Sequence, residues 1–249
     1  MWQTLLAVAF WVAVWQGLAV CIGHNGLFLA TPLQTVQTLW RLLPTADFWH
    51  RVGFSALRIL TGFVLAVTVG LLLGACGARW RWFGTLVGPV MQLIRAMPVA
   101  SFVILALLWV SGKNLSVIVS FTHVLPVVYA GTVGGIADTD PALLEMAKVY
   151  RLPLGKRLRH IWLPGMFPSF CENCIAAMGM CWKSGVSAEV IGLPDHSVGD
   201  ALYRAKITIS TPEVFAWTLV IVLLSATLST LAAWALRRAK RALCGEVEG

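Results

Sequence analysis

Between Trp2 and Ile22 the chain runs for 21 residues without a charged side chain, and further long apolar stretches follow it. A helix crossing a hydrocarbon core of about 30 Å needs roughly 20 such residues. Continuous runs of this length predict membrane-spanning helices, because a β-barrel would show short alternating segments between turns. Composition agrees: 58% of the 249 residues are apolar and 12% are charged, too little charge for a water-facing globule or a disordered chain. The formal charge of +8 suits cationic flanks on anionic lipid, and no nucleic-acid binding is expected of so apolar a chain.

The first run lacks the basic start and small-residue cleavage site of a secretory signal, so a retained helix is expected. A polar stretch follows with His24, Asn25, Pro32, Gln34, Gln37, Arg41, Asp47, His50 and Arg51. Within it, the spacing of Val36, Leu39, Trp40 and Leu43 predicts a short helix lying in the interface plane. The second span is expected over 54–78, closed by Arg79, Trp80, Arg81 and Trp82, a mixture of rings and cations typical of a membrane boundary. The third covers 86–111, broken by Pro89, Arg95 and Pro98, with a tight turn at Ser111-Gly-Lys-Asn114. The fourth, 115–137, carries no charge but holds His123 and Pro126. The fifth, 166–188, contains Glu172 and Lys183, and the sixth, 213–236, ends in Arg237, Arg238, Lys240 and Arg241.

Orientation follows from the basic residues, since cytoplasmic flanks retain the excess. Of 19 Lys and Arg, 11 lie on the side of 79–81, 138–164 and the C-terminus, six lie opposite, and Arg95 and Lys183 fall within spans. Both termini are therefore expected to be cytoplasmic.

Residues 138–164 are the most polar part of the chain. Asp140-Pro141 is a helix start, the carboxylate free to accept an exposed N–H and the proline tolerated at the first helical position. The short helix that follows is expected to show Leu143, Leu144, Ala147 and Tyr150 on one face, as a helix docking into a partner's groove does. The loop resembles the cytoplasmic coupling loop of binding-protein-dependent ABC importer permeases: Glu-Ala-Ala, three residues, Gly, nine residues, Ile, one residue, Leu-Pro. Glu145, Ala147, Ile161, Leu163 and Pro164 match in register, whereas Met146 replaces the first Ala and Arg151 stands at the Gly. Pro153 and Gly155 are the expected source of a bend after the helix. The nitrate, sulfonate and taurine branch has residues similar to Arg95 with Pro98, Trp109 with Gly112, Trp182 with Ala188-Glu189, and Gly199.

The resemblance implies an all-α permease of six transmembrane helices with type I, MetI-like architecture, a single domain over 1–249, in a bacterial inner membrane. Its implied partners are two ATP-binding cassette subunits, an extracytoplasmic solute-binding protein and a second permease subunit of identical sequence. ATPase coupling would fall to Glu145, Ala147, Tyr150, Arg151, Gly155, Ile161, Leu163 and Pro164. No cofactor or metal is expected, and ATP chemistry would belong to the partner, since the chain has no Gly-x-x-x-x-Gly-Lys-Ser/Thr phosphate loop.

A cation at a helix centre costs about 2.5–3.5 kcal/mol on insertion scales, so Arg95 and Lys183 are candidates to line a translocation path, with snorkelling or structural pairing as the competing reading. Trp182, Glu189 and His123 complete the candidate path, although a lone histidine on an apolar span also reads as a packing residue. Two cations on the path would favour a small anionic organic solute. Glu172 and Lys183, 11 residues apart, share a face at about 16 Å and are no direct pair. Cys171 and Cys174 lack the second ligand pair of a zinc site and read as packing residues. Gly192, Pro194, Ser197, Gly199 and Asp200 predict a turn-rich outer segment, either an ordinary loop or, with the 31–43 helix, a gate or binding-protein ledge. Two alternatives remain: a stand-alone channel or secondary transporter, for which no internal repeat is visible, and a membrane transferase using Asp138-Thr-Asp140, which helix capping explains more simply.

Overall fold

The computed structural model describes residues 2–22 and 29–244, and among them every regular element is a helix. His24 and Asn25 lie outside the described residues, as do the side chains of Lys240, Arg241 and Cys244. Helix α1 is Trp2–Ile22 and α2 is Pro32–Leu42. At the start of α2, the Gln34 N–H donates to Thr31 Oγ1 at 3.2 Å and the Thr31 N–H donates back to Gln34 Oε1 at 3.0 Å. This reciprocal pair satisfies two otherwise orphaned donors, and Pro32 occupies the position that needs none.

Helix α3, Ala46–Arg79, starts earlier than the span expected at Phe54. Thr45 accepts the Phe48 N–H at 3.4 Å, so Asp47, His50 and Arg51 form the first turns of the helix instead of a polar loop. Its 34 residues reach about 50 Å at 1.5 Å each, well past a hydrocarbon core of about 30 Å.

The third run folds as α4, Arg81–Ala96, and α5, Val99–Ala106, bent by 101°. Of the three expected breakers only Pro98 ends a helix. Met97 before it is extended (ψ 130°), the conformation that a following proline imposes, and Pro98 has no N–H to continue the ladder. Pro89 lies inside α4 and Arg95 in its last turn. The expected turn at 111–114 is also displaced: the chain reverses over 107–111, and α6 runs from Gly112 to Ala137. The remaining helices are α7 (Pro141–Val149), α8 (Leu154–Arg157), α9 (Leu163–Gly192), α10 (Val198–Ile207) and α11 (Thr211–Cys244), with a π-helical turn at Leu158–Trp162. Ala46–Arg79, Gly112–Ala137 and Thr211–Ala239 are each long and apolar enough to cross a membrane, and the bent α4–α5 pair passes as one further unit.

Helix α6 packs between α3 and α9. The buried stripe of α3 includes Ile59 and the small residues Ser55, Gly62, Ala66, Gly70 and Gly74, at near four-residue intervals. Lipid offers helices no hydrophobic drive to associate, so close backbone approach across small residues must supply the contact. The approach leaves no spare room: a Cβ on Gly70 would lie 2.9 Å from Val128 Cγ1, and one on Gly185 of α9 would lie 2.7 Å from Ser120 Oγ. Helix α11 closes the other side of α9, where the fully buried Trp182 donates its indole N–H to the Ile221 carbonyl at 3.0 Å.

Candidate functional site

The loop after α6 is ordered by its caps. Asp140 Oδ1 accepts the Ala142 N–H at 2.8 Å and Pro141 takes the first helical position, so this carboxylate is an N-cap. Ala147, 1% exposed, turns inward, whereas Glu145, Met146, Val149 and Tyr150 are exposed. The face predicted for α7 is therefore divided. Leu144 and Ala147 face the protein's own body, and Tyr150, at the helix end, projects away from it at 74% exposure. What α7 presents outward is Glu145 and Lys148 among apolar side chains.

Helix α7 ends in a Schellman motif. The Leu152 N–H donates to the Ala147 carbonyl at 3.0 Å and the Arg151 N–H donates to the Lys148 carbonyl at 3.1 Å, with Arg151 left-handed at φ 49°. Glycine is favoured at that position because it has no Cβ to clash, which accounts for the Gly of the resembled pattern. The turn is thus made at Arg151 itself, not at Pro153 and Gly155 as the sequence suggested. Gly155 sits within the helical turn α8 with nothing near where a Cβ would stand. An Arg151→Gly variant should be more stable by about 1 kcal/mol, the cost of a non-glycine left-handed residue. Thermal unfolding of the purified chain checks this, and an unchanged or lowered midpoint would contradict it.

The loop is tied back to the spans by the π-helical turn, whose Ile161 is 5% exposed, and by Leu163 and Pro164 at the start of α9. The eight loop residues singled out in the sequence thus fall into two sets. Glu145, Tyr150, Arg151 and Gly155 are exposed, and Ala147, Ile161, Leu163 and Pro164 are buried or half-buried anchors.

The candidate path residues do not gather in one place. Arg95 is exposed in the last turn of α4 and Lys183 is exposed on α9, as is Glu172. His123 is half-buried, its Nδ1 3.1 Å from the Val119 carbonyl and its ring centroid 6.4 Å from that of Phe102. Trp182 and Glu189 are both fully buried inside the helix packing. Among the described residues no hydrogen bond or ion pair joins any two of these five.

Glu189 instead organises a polar cluster where α3, α6, α9 and α10 meet. Ser55 Oγ donates to Glu189 Oε2 at 2.7 Å, the Gly199 N–H donates to the same oxygen at 3.3 Å, and the Val198 N–H donates to Ser55 Oγ at 2.9 Å. The carboxylate's other oxygen, Ser116 Oγ and Arg58 Nη1 are buried without a hydrogen-bond partner. Gly199 has no room for a side chain, because a Cβ there would collide with Glu189 Cβ. Beside the cluster, Arg51 bridges Asp47 at 2.6 Å and Asp200 at 3.0 Å, and Arg204 meets Asp200 at 2.8 Å. Sequence reasoning missed Ser55 and Ser116, single hydroxyls in apolar runs, and gave Arg58 no role beyond being one of the six basic residues opposite the 138–164 side.

Long apolar helices around a tight seam, with a capped polar loop between α6 and α9, are the build of a multi-pass membrane protein. Residues 52–243 match the family described as binding-protein-dependent transport system inner membrane component, and the chain belongs to that family. It is 29% identical over 218 residues to the permease protein SsuC of Escherichia coli (strain K12), provisionally named for aliphatic sulfonates transport, covering 84% of this chain and 82% of SsuC. With the taurine transport system permease protein TauC of Escherichia coli (strain K12) it shares 23% identity over 247 residues, 97% of this chain and 89% of TauC. With the nitrate import permease protein NrtB of Synechococcus elongatus it shares 23% over 245 residues, 92% and 86% of the two chains. These relatives fall in the branch that the sequence resembles. A solved amino acid ABC transporter chain, its crystal structure determined with histidines, superposes with a TM-score of 0.50 over 78% of this chain and 99% of that one, at 21% identity. That likeness bears on the fold alone.

Proposed function

We propose that the chain is the translocation subunit of an ATP-driven importer for a small anionic organic solute. The observation that carries the reading is the 138–164 loop, where the family's register of residues coincides with a helix that presents Glu145, Val149 and Tyr150 outward. In this reading α1, α3, the α4–α5 pair, α6, α9 and α11 are the six spans of a single permease domain, and both termini are cytoplasmic. Two ATPase subunits dock on α7, a solute-binding protein docks on the opposite side near α2 and α10, and a second identical chain completes the pathway. Arg95, Lys183 and His123 line that pathway, while Trp182 and Glu189 hold its wall.

The anionic cargo rests on the two exposed intramembrane cations and on the relatives named for aliphatic sulfonates, nitrate and taurine transport. Proteoliposomes holding this chain, its ATPase and its binding protein should accumulate a radiolabelled alkanesulfonate only when ATP is supplied. Solute flux through the chain alone, without ATP, would make it a channel and end the proposal.

A further inference from the structure

A cavity of about 630 Å³ opens between α3, α6 and the start of α9, at the end of the spans that carries the 138–164 loop. That volume lies within the ~300–1,000 Å³ usual for ligand pockets. Its walls are apolar, with Leu71 and Ala75 of α3, Ile136 of α6 and Met166 of α9 among them, and two guanidiniums, Arg79 and Arg157, stand at its lining. Arg79 directly precedes Trp80, Arg81 and Trp82, whose exposed indoles mark the depth of lipid headgroups.

Arg157 is only partly satisfied. Its Nε is buried without a hydrogen-bond partner, and the group makes a cation–π contact with Trp162, its guanidinium carbon 5.5 Å from the ring centroid. The π-helical turn explains this pairing: residues five apart align on one face when the backbone bonds run i to i+5, so Arg157 and Trp162 both reach the cavity. A buried donor with no partner is rare and calls for an acceptor that occupies the site. The acceptor must be anionic to suit two arginines, and it must carry a long apolar part to fill the rest of the lining.

We propose that the cavity binds an anionic phospholipid from the leaflet on the loop's side, its phosphate between Arg79 and Arg157 and an acyl chain along Leu71, Ala75 and Met166. A small hydrophilic anion would leave these apolar walls uncovered, whereas a zwitterionic lipid brings a cationic group that the arginines repel. Basic pockets between spanning helices are suited to such headgroups. Because the floor of the cavity is the π-helical turn, a bound lipid touches both the spans and the segment that returns from α7. The inference goes beyond the importer reading: it needs only the multi-pass membrane class and does not depend on the solute.

The test uses the full chain in phosphatidylcholine nanodiscs containing equal traces of phosphatidylglycerol or phosphatidylcholine with a photoreactive acyl chain, the crosslinks being mapped by mass spectrometry. One cation near a membrane surface contributes about fivefold, so peptides covering 71–79 and 158–166 should favour phosphatidylglycerol roughly 25-fold. Arg79→Gln with Arg157→Gln should bring the two lipids to parity. If the double variant does not insert, Arg157→Gln alone should reduce the preference about fivefold. Ala75→Trp, which fills the slot and keeps both charges, should remove the labelling. Equal labelling of the wild-type chain by both lipids would overturn the proposal, as would undiminished labelling of Ala75→Trp. Displacement by millimolar inorganic phosphate would also overturn it, assigning the site to a free anion.

Discussion

Glu145→Lys is expected to lower ATP-driven uptake at least tenfold while the protein still inserts and purifies normally. The side chain is exposed on α7 and takes part in no described ion pair, so its replacement disturbs nothing inside the chain. Its effect would arise at the ATPase, where placing like charges against each other across an interface costs several kcal/mol. Uptake and ATPase rate measured together check this, with chain abundance as the control. Full uptake by the variant would mean that α7 is not the docking element.

A second large effect is expected at the α3–α6 seam. Gly74→Val should lower the thermal midpoint of the purified chain, because a Cβ there would stand 2.6 Å from Thr132 Cβ and 3.1 Å from the Tyr129 carbonyl oxygen. Thr132 is fully buried and cannot swing aside. Overpacking of this kind costs typically 1–3 kcal/mol, and the upper end corresponds to a midpoint roughly 6–12 °C lower. Gly88→Val on α4 is the matched control, since a Cβ at Gly88 meets nothing within 4 Å. Equal loss in the two variants would show that helix propensity dominates over the seam.

Runs and caps were readable because each is a local signal. Asp140-Pro141 and the apolar stretches place most helices within a few residues, and the misses occur where a cap lies inside a polar stretch, as Thr31 does before α2 and Thr45 before α3. The small-residue stripe of α3 was also present, with Gly62, Ala66, Gly70 and Gly74 four apart, but it is informative only when read as a helix–helix contact. The Gly of the coupling pattern was a backbone signal that an arginine here fulfils by adopting φ 49°. The Glu189 cluster is different in kind. Ser55 and Glu189 are 134 residues apart, and nothing near either one announces the other. Only the packing of α3 against α9 brings them into hydrogen-bond distance.

The connection between α6 and α7 is three residues long, and none of the three is slack. Asp138 and Thr139 donate backbone bonds into the last turns of α6, at 2.8 Å to Gly134 and 3.3 Å to Ile136, while Asp140 caps α7. Thr139 is buried beside Gly165, where a Cβ would lie 3.1 Å from its Oγ1. A push on α7 therefore has no flexible joint in which to dissipate. Under the proposed ATPase docking, such a push would pass directly to the end of α6 and, through Thr139 beside Gly165, to the foot of α9.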